Sequence, residues 1–137
     1  MILADANLLS ETSKPQRDQR VIDWIELNFA QLYLVTPVLA ELRYGCAKLP
    51  QSKKRRELEI WLDDLIIQLD DRIVLFDQPS AEMHGNLRAH LQSIGKTCSP
   101  SDSYIAAMGL ALDCPIATRN VKHFENTGVK ILNPWGE

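Results

Sequence analysis

Short apolar runs separated by helix-length stretches are the feature of this chain that most restricts its fold. The segments Ile2–Ala4, Leu32–Val35, 73–76, 115–118 and 130–132 read as strands, each too short and too apolar to face water on one side. Between them, residues 18–28 place Val21, Trp24, Ile25 and Leu27/Phe29 at near-helical spacing behind the turn formers Ser13, Lys14 and Pro15. Thr36-Pro37 supplies an expected N-cap followed by proline at the first helical position. A helix over 37–49 follows, with Leu39, Leu42, Cys46 and Leu49 on its inner arc. Residues 52–69 form the clearest amphipathic stretch: Leu58, Trp61, Leu62, Leu65, Ile66 and Leu69 share one face, and Lys53/Glu57 and Arg55/Glu59 pair on the other. A helix is expected over 78–94, stopped by Gly95, and another over Pro100–Leu112 that is apolar on nearly every side and therefore buried. Only a helical turn near 121–125 separates the last two strands. Strands alternating with helices predict an α/β fold with a mainly parallel sheet.

With 137 residues and no repeat or linker, the whole span 1–137 is expected to be one domain. A net charge of −3 excludes a basic coat for nonspecific nucleic-acid or membrane binding, although a local basic patch is compatible with it. Cys46, Cys98 and Cys114 fit neither a disulfide framework nor a zinc spacing, and no segment is long and apolar enough to span a bilayer. A reducing cytoplasm is the expected location.

Ligands of open parallel sheets bind beyond the carboxyl ends of the strands, near the point where strand order reverses. Asp5 and Asn7 follow one such end, Thr118 and Asn120 another; Glu41 lies just over a turn into the helix after the second strand, and Asp102 lies in the first turn of the apolar helix. Each also has an ordinary structural reading. Asp102 can complete a capping box with Ser99, Asp5 can end its strand or open an Asx turn, and Thr118 and Asn120 are turn formers. Yet neither Glu41 nor Asp102 has a cation at helical i±3 or i±4 spacing. Gly45, one turn beyond Glu41, weakens its helix and suggests close approach of another chain or ligand. Three clustered carboxylates raise one another's pKa, and a divalent cation relieves that conflict; oxygen donors without His or Cys suit Mg²⁺ or Mn²⁺. Such an ion supports phosphodiester hydrolysis. His84 and His90 do not share a face as metal ligands would, and no phosphate-binding glycine loop or nucleophile elbow is present.

These residues carry a resemblance. The runs Met1-Ile2-Leu3-Ala4-Asp5-Ala6-Asn7, Ala40-Glu41-Leu42-Arg43-Tyr44-Gly45, Asp102-Ser103-Tyr104-Ile105-Ala106-Ala107, Ala117-Thr118-Arg119-Asn120 and Asn133-Pro134-Trp135 stand in an order and spacing similar to PIN-domain ribonucleases of the VapC/FitB toxin group, over essentially the whole length. The resemblance implies a PIN-like three-layer sandwich of helices around a central parallel sheet. It implies a Mg²⁺- or Mn²⁺-dependent endoribonuclease acting on RNA, with Asp5, Glu41 and Asp102 as metal-binding acids. It further implies a cognate VapB/FitA-like antitoxin that wraps the toxin and reaches operator DNA on its behalf, and a homodimer. Family members frequently carry a fourth acid within 117–124, where this chain has Asn120 and His123. On this reading Thr118 and Asn120 support water or phosphate, with Asn120 facing Asp5 across the mouth of the site. The alternative is a catalytically weak module that acts through antitoxin binding and operon autoregulation. A small-molecule phosphatase would need an aspartyl nucleophile motif that Asp5-Ala6-Asn7 does not provide.

Overall fold

Every run marked as a strand enters one sheet in the computed structural model, which describes residues 1–136. The strands are β1 (Ile2–Ala4), β2 (Leu32–Val35), β3 (Ile73–Val74), β4 (Ile116–Ala117) and β5 (Ile131–Leu132), in the order β3-β2-β1-β4-β5. All neighbours are parallel, and Leu3 lies in register with Tyr33 on one side and Ile116 on the other. The central strand is buried throughout, which is why Ile2-Leu3-Ala4 has no polar alternation; the edge strands β3 and β5 are half-buried.

Six helices cover the sheet: α1 (Ala6–Glu11), α2 (Gln19–Asn28), α3 (Thr36–Ala47), α4 (Lys53–Gln68), α5 (Gln78–Ser93) and α6 (Pro100–Leu112). The chain steps outward from β1 to β2 to β3, then returns past β1 to β4 and β5. Right-handed crossovers therefore put α1 to α4 on one face and α5 and α6 on the other, giving the expected three layers. Ile105, Ala106, Ala107 and Met108 of α6 are fully buried, as an all-round apolar helix requires. A Cβ at Gly109 would lie 2.7 Å from the Val129 side chain, so α6 can seat against the segment before β5 only with glycine there.

Several local expectations change. The helix α1 has no counterpart in the sequence reading, because six residues are too few to display a helical period; it buries Leu8 and Leu9. Thr36 is the first residue of α3 and not its N-cap, a place taken by Val35. Its hydroxyl instead accepts from the Phe76 backbone N–H at 3.1 Å, which also draws the 73–76 run out of the sheet after Val74. The inner face of α2 is Val21, Ile22 and Ile25, while Leu27 is 85% exposed. Glu11 is a buried carboxylate that the sequence did not single out. It accepts from the Asp18 backbone N–H at 2.8 Å and from Lys14 at 2.9 Å, tying the 12–18 loop to α1.

A Cβ at Gly45 would meet nothing within 4 Å, so close approach within this chain does not account for that glycine. Gly45→Ala is accordingly expected to stabilise the isolated chain by about 0.5–1 kcal/mol in urea denaturation, through helix propensity alone. A loss of stability would reveal a constraint at Gly45 that the fold does not show. Among the described residues, no helix is long and apolar enough to cross a membrane.

Candidate active site

The reversal of strand order at β1 opens a crevice at the carboxyl ends of β1 and β4, and the residues that leave those two strands are Asp5 and Thr118. Asp5 is 5% exposed and caps α1: Oδ1 accepts from the Ala6 backbone N–H at 2.8 Å, while Oδ2 accepts from the Thr118 hydroxyl at 2.8 Å and from Asn7 Nδ2 at 3.1 Å. Burial raises the Asp5 pKa, its hydrogen bonds pull the other way, and the charge of Asp102 pushes it up further.

Thr118 is fully buried and its hydroxyl is saturated. It donates to Asp5 and accepts from Asn7 Nδ2 at 3.0 Å and from the Asn120 backbone N–H at 3.1 Å, which uses its one proton and both lone pairs. Asn7 closes the arrangement, because its Oδ1 accepts from the Arg119 backbone N–H at 3.0 Å. The sequence placed Asn7 with Asp5 at a strand end facing the ligand crevice; its cross-strand bonds depend on the β1–β4 pairing, which one segment cannot reveal. Asn120 joins through its backbone N–H rather than through its amide side chain.

Asp102 sits at the N-terminal end of α6. Its backbone N–H reaches Ser99 Oγ at 3.4 Å, and the Ser99 hydroxyl donates to Asp102 Oδ2 at 2.7 Å. The capping role is therefore real, and it occupies one carboxylate oxygen. The partner that the sequence could not supply is His123, whose Nδ1 lies 3.1 Å from the same Oδ2. Glu41 projects from α3 as an exposed side chain that lines two clefts. Its pKa is raised by partial burial first, then by the charges of Asp5 and Asp102. Glu41 thus senses the charges of Asp5 and Asp102, and Asp5 that of Asp102, although among the described residues no group of three His, Cys, Asp or Glu is drawn together tightly enough to hold an ion.

A raised carboxylate pKa means that the neutral form suits the folded apo chain better. The associated stability is fully present below the ordinary Asp range and is lost as pH rises through the raised value. Asp5→Asn removes that contribution. Its stability relative to the native sequence should be most favourable at neutral pH and should decline as pH falls through the raised pKa. Paired melting curves in chelator across that window check the sign; a pH-independent difference would contradict it. Taking the difference cancels His84, which burial and Arg88 shift downward, and Glu11, which its hydrogen bond from Asp18 shifts downward.

The PIN domain family model matches residues 2–130. VapC ribonuclease Y4jK of Sinorhizobium fredii is 35% identical over 137 residues, covering 98% of both chains. Toxin FitB of Neisseria gonorrhoeae is 36% identical over 137 residues, covering 98% of this chain and 99% of the relative. Among solved structures, a chain of FitAB bound to an IR36 DNA fragment superposes with a TM-score of 0.90 at 33% identity, covering 100% of this chain and 97% of that one.

Proposed function

This chain belongs to the PIN domain family, and from that premise we propose that it is a divalent-metal-dependent endoribonuclease, the toxin of a toxin-antitoxin pair. The observation that supports the reading is electrostatic: from three separate segments near the carboxyl edge where strand order reverses, the charge of Asp102 raises the pKa of Asp5, and those of Asp5 and Asp102 raise that of Glu41. Their donor set consists of oxygen alone and fits Mg²⁺ or Mn²⁺, which keep several waters and need few protein ligands. When bound, such an ion neutralises the scissile phosphate and eases deprotonation of the attacking water.

The chain's own residues divide the remaining work. Thr118 and Asn7 hold the Asp5 carboxylate in one orientation, so Thr118 acts as a positioning residue and does not reach phosphate itself. Ser99 and His123 fix Asp102 from one side, leaving its other oxygen for the site. Glu41, exposed and with a raised pKa, is the group placed to accept a proton from water as its oxygen bonds to phosphorus and the bond to the leaving ribose oxygen breaks. Asn120 and His123 occupy the stretch where a fourth acid is common in the family, so the proposed site carries three formal charges with the His123 imidazole beside Asp102.

We also propose a FitA-like or VapB-like antitoxin as partner, through which operator DNA is bound, and a homodimer as the working unit. FitAB on DNA is the relative that supports this reading. The chain offers a surface for it. Ile60 and Ile67 of α4 are 68% and 73% exposed, and a different face of the same helix borders a cleft of about 470 Å³ between α2 and α4 lined by Ile22, Ile25, Phe29, Trp61 and Leu65. Ile67→Asp should leave the isolated chain folded and weaken the co-expressed complex by about tenfold or more. Unchanged affinity would place the antitoxin elsewhere.

The activity is tested by purifying the chain free of antitoxin and mapping new ends on total cellular RNA with and without Mg²⁺. Discrete, metal-dependent ends are expected. Intact RNA together with tight antitoxin binding would instead identify a module acting through autoregulation.

A further inference from the structure

A second cleft of about 650 Å³ opens beside the acids, between α3, the chain leaving β3, and α6. Glu41 and Ser101, the neighbour of Asp102, line it, so it is continuous with the candidate active site; its remaining walls are largely Tyr44, Phe76 and Tyr104. Tyr104 is 38% exposed but rigidly backed. His84 stacks on it at 4.4 Å between ring centroids with 16° between planes, and Phe76 meets it edge-on at 5.3 Å. His84 is itself anchored: the Ser103 hydroxyl donates to the Pro100 carbonyl at 2.9 Å, so the imidazole Nε2–H donates to Ser103 at 3.0 Å. Across the cleft Tyr44 is 67% exposed, with Lys48 Nζ 5.5 Å from its ring centroid.

We propose that this cleft is a nucleobase subsite, in which Tyr104 and Tyr44 stack the unpaired base next to the phosphate held at the acids. The proposal rests on the ribonuclease reading above and deepens it by naming the residues that seat the unpaired base beside the scissile phosphate. Aromatic rings held in place bind a flat base with little loss of side-chain freedom, and stacking is tolerant of base identity but demands a single strand. Glu41 also lines a second opening with Tyr44 and Trp61, but of the two only the cleft between α3 and α6 includes Ser101, the neighbour of Asp102, so a strand whose phosphate lies at the acids would run its neighbouring base there. Lys48, close to the Tyr44 ring, lines the neighbouring cleft and supplies positive charge there. A predicted consequence is that paired RNA is excluded from the subsite and cleaved poorly.

The test is a coupling cycle on a short single-stranded RNA that the native chain cleaves or binds. The variants are Tyr44→Ala, whose exposure makes folding secure, and Tyr104→Leu, which keeps bulk against His84; Tyr104→Phe serves as the conservative control. The substrates are the intact RNA and one with a single abasic residue beside the cleavage site. Removing the base should raise KM about tenfold in the native chain and in Tyr104→Phe, and should have little further effect in Tyr44→Ala or Tyr104→Leu. Fully additive penalties with cleavage intact would overturn the subsite. Loss of dimer in Tyr44→Ala with unchanged cleavage position would also overturn it, assigning the cleft to contact between copies. Fluorescence anisotropy of the labelled RNA pair separates the two readings: base-dependent binding that both tyrosine substitutions abolish, without any cleavage, would keep the subsite and sink the ribonuclease reading.

Discussion

Asp5→Asn is expected to lower metal-dependent RNA cleavage by about a hundredfold or more while the chain stays folded. Asparagine keeps the oxygen that caps α1 through the Ala6 N–H, so the local backbone has what it needs. What is lost is one negative charge of the three that we propose hold the ion. The buried carboxylate is also replaced by a neutral amide, which relieves the repulsion from Asp102 and the desolvation of the charge. Against this, the amide group faces two donors, Thr118 and Asn7, and disturbs their bonds. These effects oppose one another, so the apo melting temperature should stay close to that of the native chain. Cleavage assays paired with thermal melting would show activity and stability moving separately. A variant that cleaves at the native rate would remove Asp5 from the site.

The second large effect belongs to Thr118. Thr118→Val preserves shape but deletes a saturated hydroxyl at a fully buried position, removing one of the two acceptors of Asn7 Nδ2, the acceptor of the Asn120 N–H and one donor to Asp5. Unpaired buried donors cost about 1–3 kcal/mol, so the variant should denature at clearly lower urea concentration. Because Thr118 orients a carboxylate that we assign to the metal, affinity for Mn²⁺ should also fall about 10–100-fold, and Thr118→Ser should restore most of both properties. A stability loss with unchanged Mn²⁺ affinity would leave the network a structural brace only.

Which parts of this were legible beforehand follows from how local each signal is. Strand and helix identities were largely readable, because burial on both faces writes continuous apolar runs and amphipathic helices write a period, as in 52–69 and Pro100–Leu112. Capping at Ser99 was readable for the same reason, its partners lying within four residues. Thr36 misled because its hydroxyl serves residue 76 across two strands, and a threonine before a proline looks like a cap from sequence alone. The helix α1 was too short to signal itself. At the proposed site, Asp5, Glu41 and Asp102 were suggested by their positions relative to the strand ends and by family likeness. The division of labour among Asn7, Thr118, Asn120 and His123 could not: the contacts of Asn7 with Thr118 and Arg119, of Thr118 with Asp5 and of His123 with Asp102 join residues brought together by β1–β4 pairing or by the 121–124 turn, and the local Asn120–Thr118 contact takes its meaning from them.

The account stands on one divalent-ion site built from three acids. Calorimetric titration of Mn²⁺ into the purified chain, repeated on Asp5→Asn, Glu41→Gln and Asp102→Asn, addresses this without relying on RNA. We predict saturable binding to the native chain that weakens at least about tenfold in each variant, with all three still folded. Native binding that survives any one of the substitutions unchanged would remove that acid from the site, and a native chain that binds no Mn²⁺ would contradict the account as a whole.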